Sequence, residues 1–140
     1  MKLHALRLHP GGDLRVGIEE YLQAELIEAA ALLSCVGSLR IASLRLATAS
    51  SEQQFTGPFE IVSCEGTLSR NGSHIHIAVA DSEGKLMGGH LCYGSIVHST
   101  AELVLLELED HVFNRELDSV TGYKELMIQK NIAGDPETQE

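Results

Sequence analysis

Two short extended segments joined by a glycine turn constrain this sequence most, because together they predict a β-hairpin of defined register. Residues 73–80 alternate in polarity and are rich in β-branched side chains, and residues 85–93 form a second extended run. The connection Asp81-Ser82-Glu83-Gly84 suits a type I turn closed by a left-handed glycine, which makes a three-residue loop with a bulge. The chain is therefore expected to form two antiparallel strands here.

The register of this hairpin brings three histidines to one face of the sheet. With a Ser82–Gly84 loop, His76 falls directly opposite His90, with Cβ atoms ~5 Å apart. His74 lies two residues along the same strand, so its side chain points to the same face. A two-residue or four-residue loop would instead place His90 opposite Ile75, on the wrong face. The prediction therefore depends on the glycine.

Three converging imidazoles predict a metal site. Neutral histidine is a common metal ligand, and three histidines with an open fourth position are typical of catalytic zinc. Zinc is the first expectation, and nickel, copper, iron and manganese are the alternatives. Cys92 would lie opposite His74, where it is either a fourth ligand that closes the site or a small buried apolar side chain. Without a metal, the same histidines would be half-exposed strand residues.

The composition indicates one soluble domain. The 140 residues, 44% of them hydrophobic, suffice for a single core, and no apolar stretch is long enough to cross a bilayer. The N-terminal segment lacks the features of a secretory signal and the three cysteines are scattered, so we expect a cytoplasmic protein. The net charge of −10 argues against direct nucleic-acid binding. The six arginines are dispersed in sequence, which leaves open whether they cluster in space.

Outside the hairpin, the pattern predicts more strands than helices. One helix is predicted after an Asp13 cap, with apolar residues at helical spacing from Leu14 to Leu33 and a stop at Gly37. Strands are predicted at residues 2–9, 38–50, 59–69, 100–109, 112–115 and 123–129. Residues 1–130 are thus expected to form one α+β domain with a central, largely antiparallel or mixed sheet and one packed helix. Residues 131–140 are expected to form a flexible C-terminal tail.

Several motifs resemble those of the plants-and-prokaryotes conserved (PPC) domain family in its bacterial form. They are Gly57-Pro58-Phe59-Glu60-Ile61-Val62, Gly66-Thr67-Leu68, His74-Ile75-His76-Ile77, Gly88-Gly89-His90, Thr100-Ala101-Glu102-Leu103 and Thr121-Gly122-Tyr123. The resemblance covers about Leu6 to Ile128 and implies a compact α+β domain, a homotrimer, and a metal, usually zinc, on the matching histidines. The fold is also similar to that of acetolactate decarboxylase, whose three-histidine zinc site acts on a small keto acid.

The resemblance does not imply direct DNA binding by this chain. Plant members of the family carry an AT-hook, an Arg-Gly-Arg-Pro element that enters the minor groove, and this sequence contains no such element. The family's DNA-binding label therefore transfers weakly, in agreement with the acidic charge.

Two functions from different classes follow. The first is a trimeric metal-binding interaction or regulatory module with a protein partner, associated with DNA-binding partners. The second is a zinc-dependent lyase or hydrolase acting on a small keto acid or carbonyl compound. For an enzyme, Glu102 and Glu60 are candidate acid/base or ligand-orienting groups, and their alternative is a salt bridge or a trimer contact. Arg115 either binds an anionic substrate or pairs with Asp118 or Glu116. Without a convincing acid/base pair, the module is favoured.

Overall fold

The structure is a computed structural model that describes residues 1–131. It contains eight strands and one helix in this part of the chain. In chain order they are β1 (Lys2–Leu8), α1 (Leu14–Ala24), β2 (Ala30–Arg45), β3 (Gln53–Leu68), β4 (His74–Ala80), β5 (Leu86–Leu91), β6 (Ile96–Glu107), β7 (His111–Leu117) and β8 (Lys124–Lys130).

Six strands form one sheet in the order β1-β6-β2-β3-β4-β5, and β7 and β8 form a separate hairpin. Every strand pairing within residues 1–131 is antiparallel, so the sheet is not mixed. The last residues of β2 also pair with β5, Leu44 with Leu91 and Arg45 with His90. Strands β2 to β5 therefore form a closed circuit. The predicted single domain, with a central, largely antiparallel sheet and one packed helix, is confirmed.

The helix packs on the sheet through Leu14, Ile18 and Leu22, which are all buried. The predicted cap is confirmed, because the Val16 amide donates to Asp13 Oδ1 at 3.0 Å. On the sheet side, the core is formed by side chains from β2, β3, β4 and β6, among them Leu39, Leu44, Ile61, Leu68, Ile75, Val79, Leu103 and Leu105. Burial of one helix stripe against one sheet face accounts for this two-layer arrangement.

The helix is shorter than the sequence predicted, and that prediction was wrong. It ends at Ala24, and Leu26 then takes a left-handed conformation with φ of 56° before the chain enters β2. Leu26 and Leu33, which continued the helical spacing, are exposed, whereas Leu32 is buried in the sheet. Between Leu26 and Leu33 the apolar residues fit both the period-2 spacing of a strand and the 3.6-residue spacing of a helix. Gly37 therefore lies inside β2 and does not end the helix.

Three strands begin well before their predicted starts, β2 at Ala30, β3 at Gln53 and β6 at Ile96, and β2 ends at Arg45 and not at residue 50. The predicted tail, residues 131–140, lies outside the described residues except for Asn131, whose amide donates to the Asp110 carbonyl at 2.8 Å. Among the residues described, no helix has the length and apolar character needed to cross a membrane.

Candidate metal centre

The β4–β5 hairpin has the predicted bulged turn. Gly84 is left-handed, with φ of 78°, and its amide donates to the Asp81 carbonyl at 3.0 Å. The Asp81 side chain accepts hydrogen bonds from the amides of Glu83 and Lys85, both at 2.9 Å, which fixes the loop. The register that follows places His76 opposite His90.

The three imidazoles converge as the register requires. Nε2 of His74 and Nε2 of His76 are 3.0 Å apart, and one ligand nitrogen from each of His74, His76 and His90 lies within 4.8 Å of the others. Nitrogens bound to a tetrahedral zinc at 2.0–2.1 Å are about 3.4 Å apart, which falls inside this span. The Nδ1 atom of His90 is buried without a hydrogen-bond partner in the described residues, so a ring nitrogen remains available to a ligand. These three histidines can therefore hold a metal ion.

The surroundings keep two of the rings neutral. Burial, together with the positive charges of Arg45 and Arg15, lowers the pKa of His90 to about 4. Burial also lowers the pKa of His74, with His76 and Arg115 contributing. Because a metal ion binds the neutral imidazole, both rings are in the ligand form at neutral pH.

Two glycines allow the strand that carries His90 to lie close to its neighbours. A Cβ atom on Gly88 would lie 2.6 Å from the Ile77 carbonyl oxygen, and one on Gly89 would lie 2.7 Å from the Arg45 carbonyl oxygen. Real side chains do not approach a backbone this closely, so only glycine fits at either position. His90 is thus held between β4 and β2.

Cys92 is not among the grouped ligand atoms. Pairing between β4 and β5 stops at His76 and His90, so the expected pairing of Cys92 with His74 is not formed. The Cys92 amide instead donates to the Ser43 carbonyl at 2.9 Å, and burial raises the pKa of its thiol. Within one chain, Cys92 corresponds to the expected alternative, a small buried side chain.

The structure places both candidate acid/base residues away from the histidines of the same chain. Glu60 and Glu102 are exposed. On β3 the residue opposite His76 is Glu65, and Glu60 lies five residues further along, about 16 Å at the usual strand rise. Glu102 pairs with Arg7 of β1 and with Val36 of β2, so that β2 lies between β6 and the hairpin. Neither carboxylate can reach a metal held by the chain's own three histidines.

A cavity of about 700 Å³ opens beside His74 and His90. Helix α1, the end of β2, the turn before β4 and the β7–β8 hairpin supply its wall. Five of the ten basic residues of the chain line it, against two of the twenty acidic residues. The five are Arg15, Arg45, Arg70, Arg115 and Lys124. The cavity is therefore basic in a chain that is acidic overall.

Arg15 lies against His90. Its Nη1 is 3.3 Å from His90 Nε2 and donates to the Leu91 carbonyl at 2.8 Å. Its Nε donates to Glu19 at 3.0 Å, and Glu19 also accepts a hydrogen bond from the Tyr93 hydroxyl at 2.7 Å. Helix α1 thereby contacts the imidazole of His90 through Arg15.

Arg115 also lines the cavity, and it forms no ion pair with Asp118 or Glu116 in the described residues. Its Nη2 donates to Thr67 Oγ1 at 2.6 Å, whereas its Nε is buried without a partner in the described residues. The Asp118 carboxylate accepts hydrogen bonds from the Val120 and Thr121 amides instead.

No residue spacing indicated that the arginines cluster, because they come from separate elements. Arg15 is on α1, Arg45 at the end of β2, and Arg115 on β7. The pairing of β2 with β5 places Arg45 beside His90, and that pairing joins residues far apart in the chain. Among the six arginines, only Arg115 was a candidate anion-binding residue from the sequence.

Comparisons with known proteins identify the family. The family model of the Plants and Prokaryotes Conserved (PCC) domain matches residues 1–109. The protein named "Bifunctional protein GlmU" from Synechococcus sp. (strain JA-2-3B'a(2-13)) is 41% identical over 136 residues, which cover 97% of this chain and 21% of that protein. The chain thus spans about a fifth of the length of this curated relative.

Two solved structures have the same fold over nearly their whole length. A hypothetical protein from Salmonella cholerae-suis has a TM-score of 0.91 and 37% identity, covering 94% of this chain and 95% of that one. A metal-containing protein from Archaeoglobus fulgidus has a TM-score of 0.80 and 30% identity, covering 91% and 94%. The chain therefore belongs to the Plants and Prokaryotes Conserved domain family.

Proposed function

We propose that this chain is a homotrimeric metal-binding domain of the PPC type that acts as an interaction or regulatory module. The observation that carries the proposal is the convergence of His74, His76 and His90, with ligand nitrogens within 4.8 Å of one another. Their register follows from backbone pairing and does not depend on a flexible loop.

Zinc is the ion we propose first. The group contains three imidazole nitrogens and neither a thiolate nor a carboxylate. This set of ligands suits zinc, and copper, nickel, iron and manganese are the alternatives. The relative from Archaeoglobus fulgidus, 30% identical, is described as metal-containing, which supports a metal here. When bound at such a site, zinc supplies Lewis acidity that polarises a carbonyl group.

The proposed trimer is supported by apolar side chains that are exposed on the surface. Leu33, Val36 and Val62 are more than half exposed on β2 and β3, a face that a second copy would cover. In the curated relative a similar segment forms a fifth of a longer protein, which supports a domain that works beside another. The net charge of −10 favours a protein partner over direct contact with nucleic acid. Three free cysteines fit the reducing cytoplasm.

Metal analysis of purified protein tests the site. We expect one divalent ion per chain in the wild type, and a loss of most of it in His90→Ala. The matched control is His98→Ala, because His98 is exposed on β6 and outside the histidine group. Equal metal content in both variants would refute the site. Light scattering that gives a monomer of 15.2 kDa would refute the trimer.

A zinc-dependent lyase or hydrolase acting on a small keto acid or carbonyl compound is the second candidate. One observation favours it, because the cavity beside His74 and His90 is lined by arginines and Cys92 is not placed to close the metal position. The positions of Glu60 and Glu102 weigh against it. A screen of small keto acids and esters tests this candidate: metal-dependent turnover that is absent in His90→Ala would support the enzyme, and no turnover would leave the module.

A further inference from the structure

The charge of the cavity is compensated at some arginines and not at others. Arg15 pairs with Glu19 at 3.0 Å, and Arg70 pairs with Glu28 at 2.9 Å. Arg45 and Arg115 also line the cavity, and neither forms an ion pair with any carboxylate in residues 1–131. Two guanidinium groups in this space therefore have no carboxylate in ion-pair contact, although Glu125 also lines the cavity near Arg115.

The donors of these two arginines are largely unused. Arg115 uses Nη2 on Thr67, while its Nε is buried and donates to nothing in the part of the chain that the structure describes. Arg45 donates no side-chain hydrogen bond to any described residue, and its guanidinium lies 5.9 Å from the centre of the Tyr123 ring. A guanidinium has five N–H donors, and burying one without a partner is unfavourable unless a ligand accepts the hydrogen bond.

Burial already acts against the charge on Arg115. It lowers the pKa of this guanidinium, and the nearby carboxylate of Glu125 only partly opposes the effect. A half-buried cation of this kind is stabilised by an anion that reaches it, because the attraction is strong where water is excluded.

The unpaired arginines lie next to the proposed metal position. Arg45 is the backbone partner of His90, and both Arg45 and Arg115 line the same cavity as His74 and His90. A divalent ion on neutral imidazoles would add two further positive charges at this point. An anion that contacts both the ion and the arginines would neutralise them.

The size and polarity of the space limit the ligand to a small polar molecule. A volume of about 700 Å³ is within the range of small-molecule sites. The wall is rich in guanidinium, hydroxyl and amide groups, including Ser73, Asn71 and Tyr123. Planar guanidinium groups bind carboxylate and phosphate through paired hydrogen bonds.

We propose that this cavity binds a small molecule carrying a carboxylate or phosphate group, held by Arg45 and Arg115 beside His74 and His90. The inference rests on the proposed function, because it places the anion next to the metal ion. Arg15 is a positioning residue here, since it is paired with Glu19 and contacts His90.

Calorimetric titration of the metal-loaded protein with inorganic phosphate, and separately with malonate, tests the proposal in a buffer free of other multivalent anions. We expect saturable binding of at least one of them with Kd below about 1 mM, and an affinity at least tenfold lower in Arg115→Gln and in Arg45→Gln. Arg40→Gln is the matched control, because Arg40 is exposed and does not line the cavity. Comparison of the two titrations decides between a phosphate and a carboxylate ligand.

Three results would overturn the inference: binding of neither anion, an equal loss in Arg40→Gln, or full affinity in both cavity variants. If Arg115→Gln fails to fold, Arg45→Gln and Arg115→Lys replace it, the latter keeping the charge without the planar fork. Metal content measured on the same samples separates the two proposals. If Arg115→Gln keeps its metal but no longer binds the anion, the inference is supported. If the wild-type protein takes up no metal but still binds the anion, the metal site alone is refuted.

Discussion

Replacing Gly89 by alanine is expected to damage the metal centre although residue 89 is not a ligand. The new Cβ atom would lie 2.7 Å from the Arg45 carbonyl oxygen, whereas ordinary van der Waals contacts begin at 3.4 Å. The two strands must therefore separate by about 0.7 Å, the difference between these distances. A metal ligand tolerates about 0.2 Å, so the neighbouring His90 would leave its productive position.

The expected cost to stability is about 1–3 kcal/mol, the usual effect of inserting a methyl group into a tightly packed site. For a domain of this size, that corresponds to a fall in Tm of about 3–12 °C. We further expect metal affinity to fall at least about tenfold, since displaced ligands and their supports typically have effects of this size. Thermal unfolding of the metal-free protein and titration with zinc measure the two effects separately.

The control for this substitution is Gly122→Ala. Gly122 has φ of 75° with no atom within 4 Å of an added Cβ, so alanine there is strained without a clash. The strain costs about 1–2 kcal/mol, and it leaves the contact between Gly89 and Arg45 unchanged. Metal affinity should then stay close to that of the wild type. If Gly89→Ala binds metal as tightly as Gly122→Ala, the close approach of β5 to β2 does not position the ligands.

Three further predictions concern stability. Removing the metal with a chelator should lower Tm while the fold remains, because an ion at a hundredfold excess over Kd stabilises the folded state by about 2.7 kcal/mol; an unchanged Tm would contradict metal binding. Leu103→Ala should cost about 2–5 kcal/mol by denaturant unfolding without changing metal content, since Leu103 is buried in the core away from the histidines. Asp13→Ala should cost about 1–2 kcal/mol, because it removes hydrogen bonds from the Val16 amide at 3.0 Å and the Gly94 amide at 2.6 Å; a midpoint equal to the wild type would show that this cap does not stabilise α1.

The histidine hairpin could be predicted because its determinants are local. The turn at 81–84 needs a left-handed residue, Gly84 supplies it, and the period-2 register then places His76 opposite His90. The close approach of Gly89 to Arg45 depends instead on the pairing of β2 with β5, which joins residues far apart in the chain.

The end of the helix and the basic cavity could not be predicted, for two different reasons. After Ala24 the residues satisfy helical and strand spacing equally, and the left-handed turn at Leu26 that decides between them has no glycine to mark it. The cavity depends on how the β7–β8 hairpin, which carries Arg115, packs beside the end of β2, which carries Arg45. Contacts between segments that are far apart in the chain produce no recognisable residue spacing in the sequence.

The backbone of His90 is paired with His76 on one side and with Arg45 on the other. The arrangement of these rings is consequently set by main-chain pairing and does not require an ion. A site built in this way would let an ion exchange while the protein remains folded. Which ion it would hold then depends on the free metal available in its surroundings.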